Sequence, residues 1–211
     1  MAYRTTTARL DRAQELRDRI LACAHARVAE GGFASLTMQA LAEDAGIATG
    51  SLYRHFSGKG ELAAEVFSSA CRIEVDALAA ILGGPGSATQ RLAAGLEQFA
   101  ARAWHSRRLA FALIAEPVDP EVDEQRLLFR EAYAELFVDL LEEGVRSGEF
   151  RVPQVSLVAA CLVGAIAEAL VGPLSPPARA ARDAGLPVVD LDTVSQTLIT
   201  FCLRAVGASE S

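Results

Sequence analysis

Within residues 49–59 the chain sets Thr49, Gly50, Ser51, Tyr53, Arg54, His55 and Lys59 around two apolar side chains, Leu52 and Phe56. The polar set is rich in donors. Hydroxyls suit phosphate oxygens, and a guanidinium fork matches the paired acceptors on the major-groove edge of guanine. Leu52 and Phe56 lie four residues apart, the spacing of one helical face, so burying them leaves the polar residues on the outer and flanking faces. Gly50 permits close approach of a backbone. Lys59, the only lysine in the chain, falls at the start of a following helix, where free N–H groups and the helix dipole favour an anion. The expected partner of this set is double-stranded DNA. Charge supports it: the chain carries net −7, yet its first sixty residues hold eight Lys/Arg against six acids.

These residues need elements to position them, and nearly every segment reads as helix. β-branched alternation is missing, Ala and Leu abound, and Gly or Pro clusters supply the breaks. A first helix over residues 12–30 aligns Leu16, Ile20, Ala24 and Val28 and ends at Gly31 and Gly32. Thr37 is the N-cap of a short helix, MQALAEDA, that carries Gln39 and closes at Gly46. A third helix covers residues 49–56. Leu41, Ala42 and Ile47 on one side, and Leu52 and Phe56 on the other, pack the two short helices into a helix-turn-helix. A fourth, over 59–81, has Leu62, Val66, Phe67, Ala70 and Ile73 as its inner stripe. GGPG at 83–86 is the sharpest compositional break. Beyond it helices are predicted at 88–105, 107–115, 121–147, 155–171 and 191–206, with a further turn at 178–183 in the Pro-rich connection. The fold class is all-α.

The segment TMQALAEDAGIATGSLYRHFSGKGEL resembles the N-terminal signature of the tetracycline-repressor (TetR/AcrR) family of bacterial transcription regulators. Gly32-Phe33, Thr37, Ala42, Ala45-Gly46, Gly50, Leu52-Tyr53, His55-Phe56, Lys59 and Leu62 fall into one register. The resemblance implies a helix-turn-helix DNA-binding domain over residues 12–60 and a helical effector-binding and dimerisation domain over 61–206. It implies that Thr37, Tyr53, His55 and Lys59 hold phosphates while Ser51 and Arg54 approach base edges; Gln39, Thr49 and Gly50 complete the expected contact set. Ala48 stands where the family usually carries a Ser cap, Thr49 where Lys or Arg is common, and Gly58 and Gly60 replace a polar cap and an acid. A lost Ser-type cap costs about 1 kcal/mol.

The resemblance further implies a homodimer, most often a repressor, that reads a near-palindromic operator and is released by a small-molecule effector. Two recognition helices ~34–36 Å apart would meet successive major grooves. The segment SLVAACLVGAIAEALVG is apolar around most of its circumference, which suits contact with a second chain. Ala160, Val163, Gly164, Ala167 and Val171, with Leu198 and Phe201 of the last helix, are the interface candidates. An apolar effector is expected among Phe99, Trp104, His105, Phe111, Phe129, Tyr133, Phe137 and Glu168. Each aromatic is more often plain core, and Glu168 in the most apolar helix needs a partner or water. EPVDPEVDEQR reads as a solvated acidic turn, and Arg4, Arg9 and Arg12 as a frayed, mobile tail in preference to an arm entering a minor groove.

Cys23, Cys71, Cys161 and Cys202 are far apart and lack metal-ligand spacing, so four buried free thiols in a reducing cytoplasm are expected, with no metal and no cofactor. No uninterrupted apolar run reaches the ~18 residues of a membrane span, and the N-terminus has no signal-peptide core; no membrane partner is expected. With His25, His55 and His105 the only histidines, and no nucleophile elbow or phosphate-cradling loop, an enzyme is a remote alternative. The nearer alternative is a helical small-molecule-binding module whose DNA reader has weakened.

Overall fold

The computed structural model describes residues 2–208, with side chains from residue 9 onward. Among these residues the chain forms ten α-helices and no strand: α1 Ala2–Gly31, α2 Met38–Ala45, α3 Thr49–Leu52, α4 Lys59–Leu82, α5 Ala88–His105, α6 Arg107–Ala115, α7 Pro120–Ser147, α8 Val155–Leu174, α9 Pro176–Asp183 and α10 Leu191–Ala205. A 3-10 turn, Phe33–Ser35, joins α1 to α2.

The local signals act as their chemistry requires. The Thr37 hydroxyl accepts from the Ala40 N–H and starts α2. Gly46 stops it in the left-handed region at φ 65°, its own N–H returning to the last carbonyls. Ser87 and Gln90 form a reciprocal capping box at the start of α5. Two expectations shift. α1 begins at Ala2 rather than residue 12, because no Gly or Pro interrupts residues 2–11; Arg9 and Arg12 are exposed along it, and the Arg4 side chain lies outside the described residues. α3 is regular only over Thr49–Leu52, and residues 53–55 close in tighter turns as the chain bends towards α4.

Packing divides into two cores joined by α4. The first gathers Ile20, Ala24 and Val28 of α1, Leu36, Leu41, Leu52 and Phe56, and Leu62, Val66 and Phe67 of α4, all buried. It is completed by Ala112 of α6 and Val122 of α7. The second runs from Leu78 and Leu82 through α5, Phe137 and Leu141 of α7 and the inner face of α8 to Leu198 and Cys202 of α10. Because α4 leaves one core for the other, its buried face rotates: Cys71, Leu78 and Leu82 turn inward, whereas Ile73 is 58% exposed and not part of the inner stripe. The thiols also differ from expectation. Cys71 and Cys202 are buried, Cys23 is half-buried, and Cys161, on the outer face of α8, is exposed.

Candidate nucleic-acid interface and ligand cavity

The helix-turn-helix is held from behind. Arg17 of α1 lies 4.8 Å above the Phe56 ring and makes a bidentate ion pair with Glu65 of α4, fixing the end of the recognition segment against two helices. That pairing raises the Arg17 pKa above its ordinary value. Arg27 ties α1 to α2 through Asp44 and, at 3.2 Å, the Ala40 carbonyl. Two of the basic residues counted towards a surface charge are therefore structural.

Leu52 and Phe56 point inward as their spacing demands, and the remaining side chains are left outside. Thr37, Gln39, Thr49, Gly50, Tyr53 and Arg54 are exposed; Ser51 and His55 are half-buried. Tyr53 is 56% exposed, an unusual position for so large a ring without a partner. A Cβ built on Gly50 would meet nothing within 4 Å, so an approaching backbone finds open space. Among the described residues Arg54 makes no ion pair, whereas Gln39 donates to Glu43 at 3.3 Å. Ala48 gives α3 no side-chain cap.

Lys59 is half-buried, and its Nζ lies 3.3 Å from the Asp119 carboxylate at the start of α7. Gly58 gives α4 no side-chain cap, and Glu61 of its first turn instead accepts from the Ser57 N–H at 2.6 Å and hydroxyl at 2.7 Å across Gly58. These two bonds hold the Glu61 carboxyl below its ordinary pKa.

The acidic turn after α6 is not simply solvated. The Glu116 carboxylate accepts from the N–H groups of Phe33, at 2.9 Å, and Ala34, at 3.1 Å, so the end of α6 is fastened to the turn before α2. Gly32 is required there. At φ 74° it occupies the left-handed region, and a Cβ would stand 2.4 Å from Glu116 Oε2.

Farther along α4 a cavity of about 140 Å³ opens between α4, α5, α6, α7 and α8. Phe67, Leu78, Phe99, Leu109, Leu113, Phe129, Phe137 and Ile166 supply an apolar wall. Of the expected effector residues, Phe99, Phe129, Tyr133 and Phe137 line it. Trp104, His105, Phe111 and Glu168 do not. His105 and Glu168 face outward, while Arg182 and Arg179 of α9 cover the Trp104 and Phe111 rings at 4.9 and 5.9 Å. Polar lining residues that spacing alone does not single out are Glu74, Arg102, Arg126 and Arg130. Arg102 and Glu74 form a bidentate pair at 2.6 and 2.7 Å. Arg126 donates to the carbonyls of Leu113 and Glu116, each at 3.0 Å, and to Asp123 at 2.7 Å, a cation at the C-terminal end of α6. Burial lowers its pKa, the Asp123 carboxylate opposes that, and the nearby Arg130 charge lowers it further. Burial likewise pushes the Tyr133 phenol well above its ordinary value, so it stays protonated.

The candidates for subunit contact separate by face. Leu198 is buried in the chain's own core at 3% exposure, and Val163 and Ala167 line the cavity. Ala160, Gly164 and Phe201 face outward, and Val171 is half-buried. By length and composition Val155–Leu174 could cross a membrane, contrary to the expectation from its Ser, Gly and Glu; only 22% of its most apolar stretch is buried within the chain.

Two regions match described protein families. Residues 20–66 match the family of bacterial regulatory proteins, tetR family, and residues 85–170 match the tetracyclin repressor-like C-terminal domain. The HTH-type transcriptional repressor KstR2 of Mycolicibacterium smegmatis is 29% identical over 139 residues, 64% of this chain and 67% of that protein. Among solved structures, the regulator FadR of Bacillus subtilis in complex with stearoyl-CoA superimposes with a TM-score of 0.72 at 19% identity, over 89% of this chain and 98% of that one. FadR of Bacillus halodurans gives 0.73 at 19% identity, over 92% and 97%. NemR of Escherichia coli in its reduced form gives 0.70 at 15%, over 93% and 100%. At such identities the structural matches speak for the fold.

Proposed function

We propose that this chain, which belongs to the TetR family of DNA-binding transcription regulators, represses its target genes in the cytoplasm as a homodimer and leaves its operator when a small, largely apolar molecule fills the cavity. The family is one of regulators rather than enzymes. DNA reading is assigned to residues 12–60 and effector binding with dimerisation to 61–206. The observation that carries the reading is the outward presentation of Thr49, Gly50, Tyr53 and Arg54 on a segment whose Leu52 and Phe56 are locked inside. Arg54, free of any ion pair among the described residues, is assigned to a base edge together with Ser51. Thr37, Gln39, Thr49, Tyr53, His55 and Lys59 are assigned to the backbone, with Lys59 exchanging Asp119 for a phosphate.

Dimerisation is supported by the apolar outer face of α8. Leu157, Ala160, Cys161 and Gly164 are exposed there, and Phe201 of α10 is 58% exposed. A Cβ at Gly164 would meet nothing within 4 Å, which leaves room for a second helix to approach closely. The interface is therefore assigned to Ala160, Gly164, Val171 and Phe201, joined by Leu157. Regulation follows from α4, which carries Lys59 at one end and the cavity residues Phe67, Cys71, Glu74 and Leu78 further along. An effector must bind one arrangement of α4 more tightly than the other to move the equilibrium.

Selection of operator sequences from random DNA by the purified protein, followed by salt-dependent titration and sedimentation, tests the reading. A near-palindromic site bound by two subunits is the expected result. The second reading, a ligand-binding module without DNA recognition, is favoured by the missing cap at Ala48. Failure to enrich any sequence would establish it over the first.

A further inference from the structure

The apolar cavity carries an unbalanced positive charge. Of its charged lining residues, Glu74 is matched by Arg102 and Arg126 is engaged with Asp123 and the end of α6. Arg130 is left over: among the described residues it has neither an ion pair nor a hydrogen bond, and it is exposed at the cavity's edge. The Tyr133 hydroxyl, three residues on and facing the same cavity, likewise has no hydrogen-bond partner among the described residues. Residues three apart on α7 share a face, and both line the cavity. The Arg130 charge also lies close enough to Arg126 to disfavour its ionised form. A guanidinium without a counter-charge at the edge of an apolar chamber, with a phenol on the same helix, suits a carboxylate that accepts from both.

We infer that the effector is an amphiphilic carboxylate whose apolar body lies among Phe67, Phe99, Phe129 and Phe137 and whose carboxylate oxygens accept from Arg130 and the Tyr133 hydroxyl. The inference rests on the cavity being the effector site. It excludes amines, which would meet a surplus cation, and it ranks neutral alcohols below acids of the same body. Arg126 sits behind the head group and answers the acid's charge without leaving the α6 carbonyls.

Calorimetric titration of the full-length protein with 4-phenylbutyrate, 4-phenylbutan-1-ol and 4-phenylbutylamine, and with decanoate, decan-1-ol and decylamine, tests it. The acid of at least one series is expected to bind tenfold or more tightly than its alcohol, with the amine weakest. Arg130→Gln removes that preference and leaves the alcohol's affinity within twofold. Arg130→Glu, at an exposed position tolerant of change, reverses the order in favour of the amine. Equal affinity of acid and alcohol for the unaltered protein, an acid preference that survives Arg130→Glu, or no binding by any of the six overturns the inference. Operator binding measured on the same samples shows separately whether the regulator reading stands.

Discussion

The two cores joined by α4 differ in where they keep their polar chemistry. The N-terminal core is filled by large apolar side chains, and its hydrogen-bonding residues stand outside on a braced surface. The C-terminal core meets it at a cavity, walled on one side by Leu78, Phe99, Phe137 and Ile166 and on the other by Phe67, Leu109, Leu113 and Phe129, and Tyr133, Arg126 and the Glu74–Arg102 pair line that cavity. A surface that must match a rigid groove gains from a filled interior, because close packing fixes the angle of every exposed side chain. A site that must respond to a ligand gains from empty space beside a helix that can move.

The largest expected effect comes from removing the residue common to both. Phe67 packs 6.4 Å from the Phe33 ring and 6.0 Å from Phe129, and it lines the cavity. Phe67→Ala should lower stability by about 3–5 kcal/mol, measured by urea unfolding, and open the cavity towards the DNA-reading core. A loss below about 1 kcal/mol would mean that the two interiors do not share this wall.

Arg54→Ala should weaken operator binding by about 1–3 kcal/mol and relax discrimination at one base position, whereas Lys59→Ala should weaken binding to all sequences alike and reduce the salt slope by about 1. Footprinting and titration at several salt concentrations check both. Equal losses on every sequence for Arg54→Ala would remove it from the base edge.

Helix starts sharpen the contrast further. At α5, the Glu149 carboxylate accepts from the N–H groups of Ala88 and Thr89, and these bonds lower its pKa from 4.5 to about 2. Its stabilisation is thus complete above pH 4.5 and lost as pH falls towards 2. Glu149→Gln should lose about 1 kcal/mol at pH 7, as for a removed cap on a solvent-accessible helix end, and the gap to the unaltered protein should narrow through that window. α3, by contrast, has no side-chain cap at all. Ala48→Ser should add about 0.5–1 kcal/mol of stability in thermal unfolding, the smallest of these stability changes.

The helix-turn-helix was legible because its determinants are local. Thr37 caps a helix that begins at the next residue, and Gly46 ends it with a backbone angle that glycine adopts freely. The outward face followed from placing Leu52 and Phe56 inside. The tether at Glu116 was not legible, since its partners lie 83 and 82 residues away and its neighbours read as an acidic turn. The cavity was legible only in part. An aromatic on an amphipathic helix looks the same whether it borders a void or is covered by a neighbour, and Trp104 and Phe111 are covered by arginines of α9, whose docking no periodicity reveals. Arg126 closes the stretch that reads as a solvated acidic turn, and neither it nor Arg130, four further on along α7, stands out until α6 and the cavity wall are placed beside them. Leu198 satisfied the pattern of a subunit contact but faces its own chain, because α10 packs on α5 as well as α8.

Ala112 and Val122, at 0% exposure, complete the core beneath the recognition segment although they come from α6 and α7. A chimera that grafts residues 12–60 onto another regulator's body would therefore bring a floor with two tiles missing. Exchange of sequence specificity between relatives should succeed when the donor's α6 terminus and α7 entry travel with the graft, and such transplants offer a route to re-addressing an effector response to a new promoter.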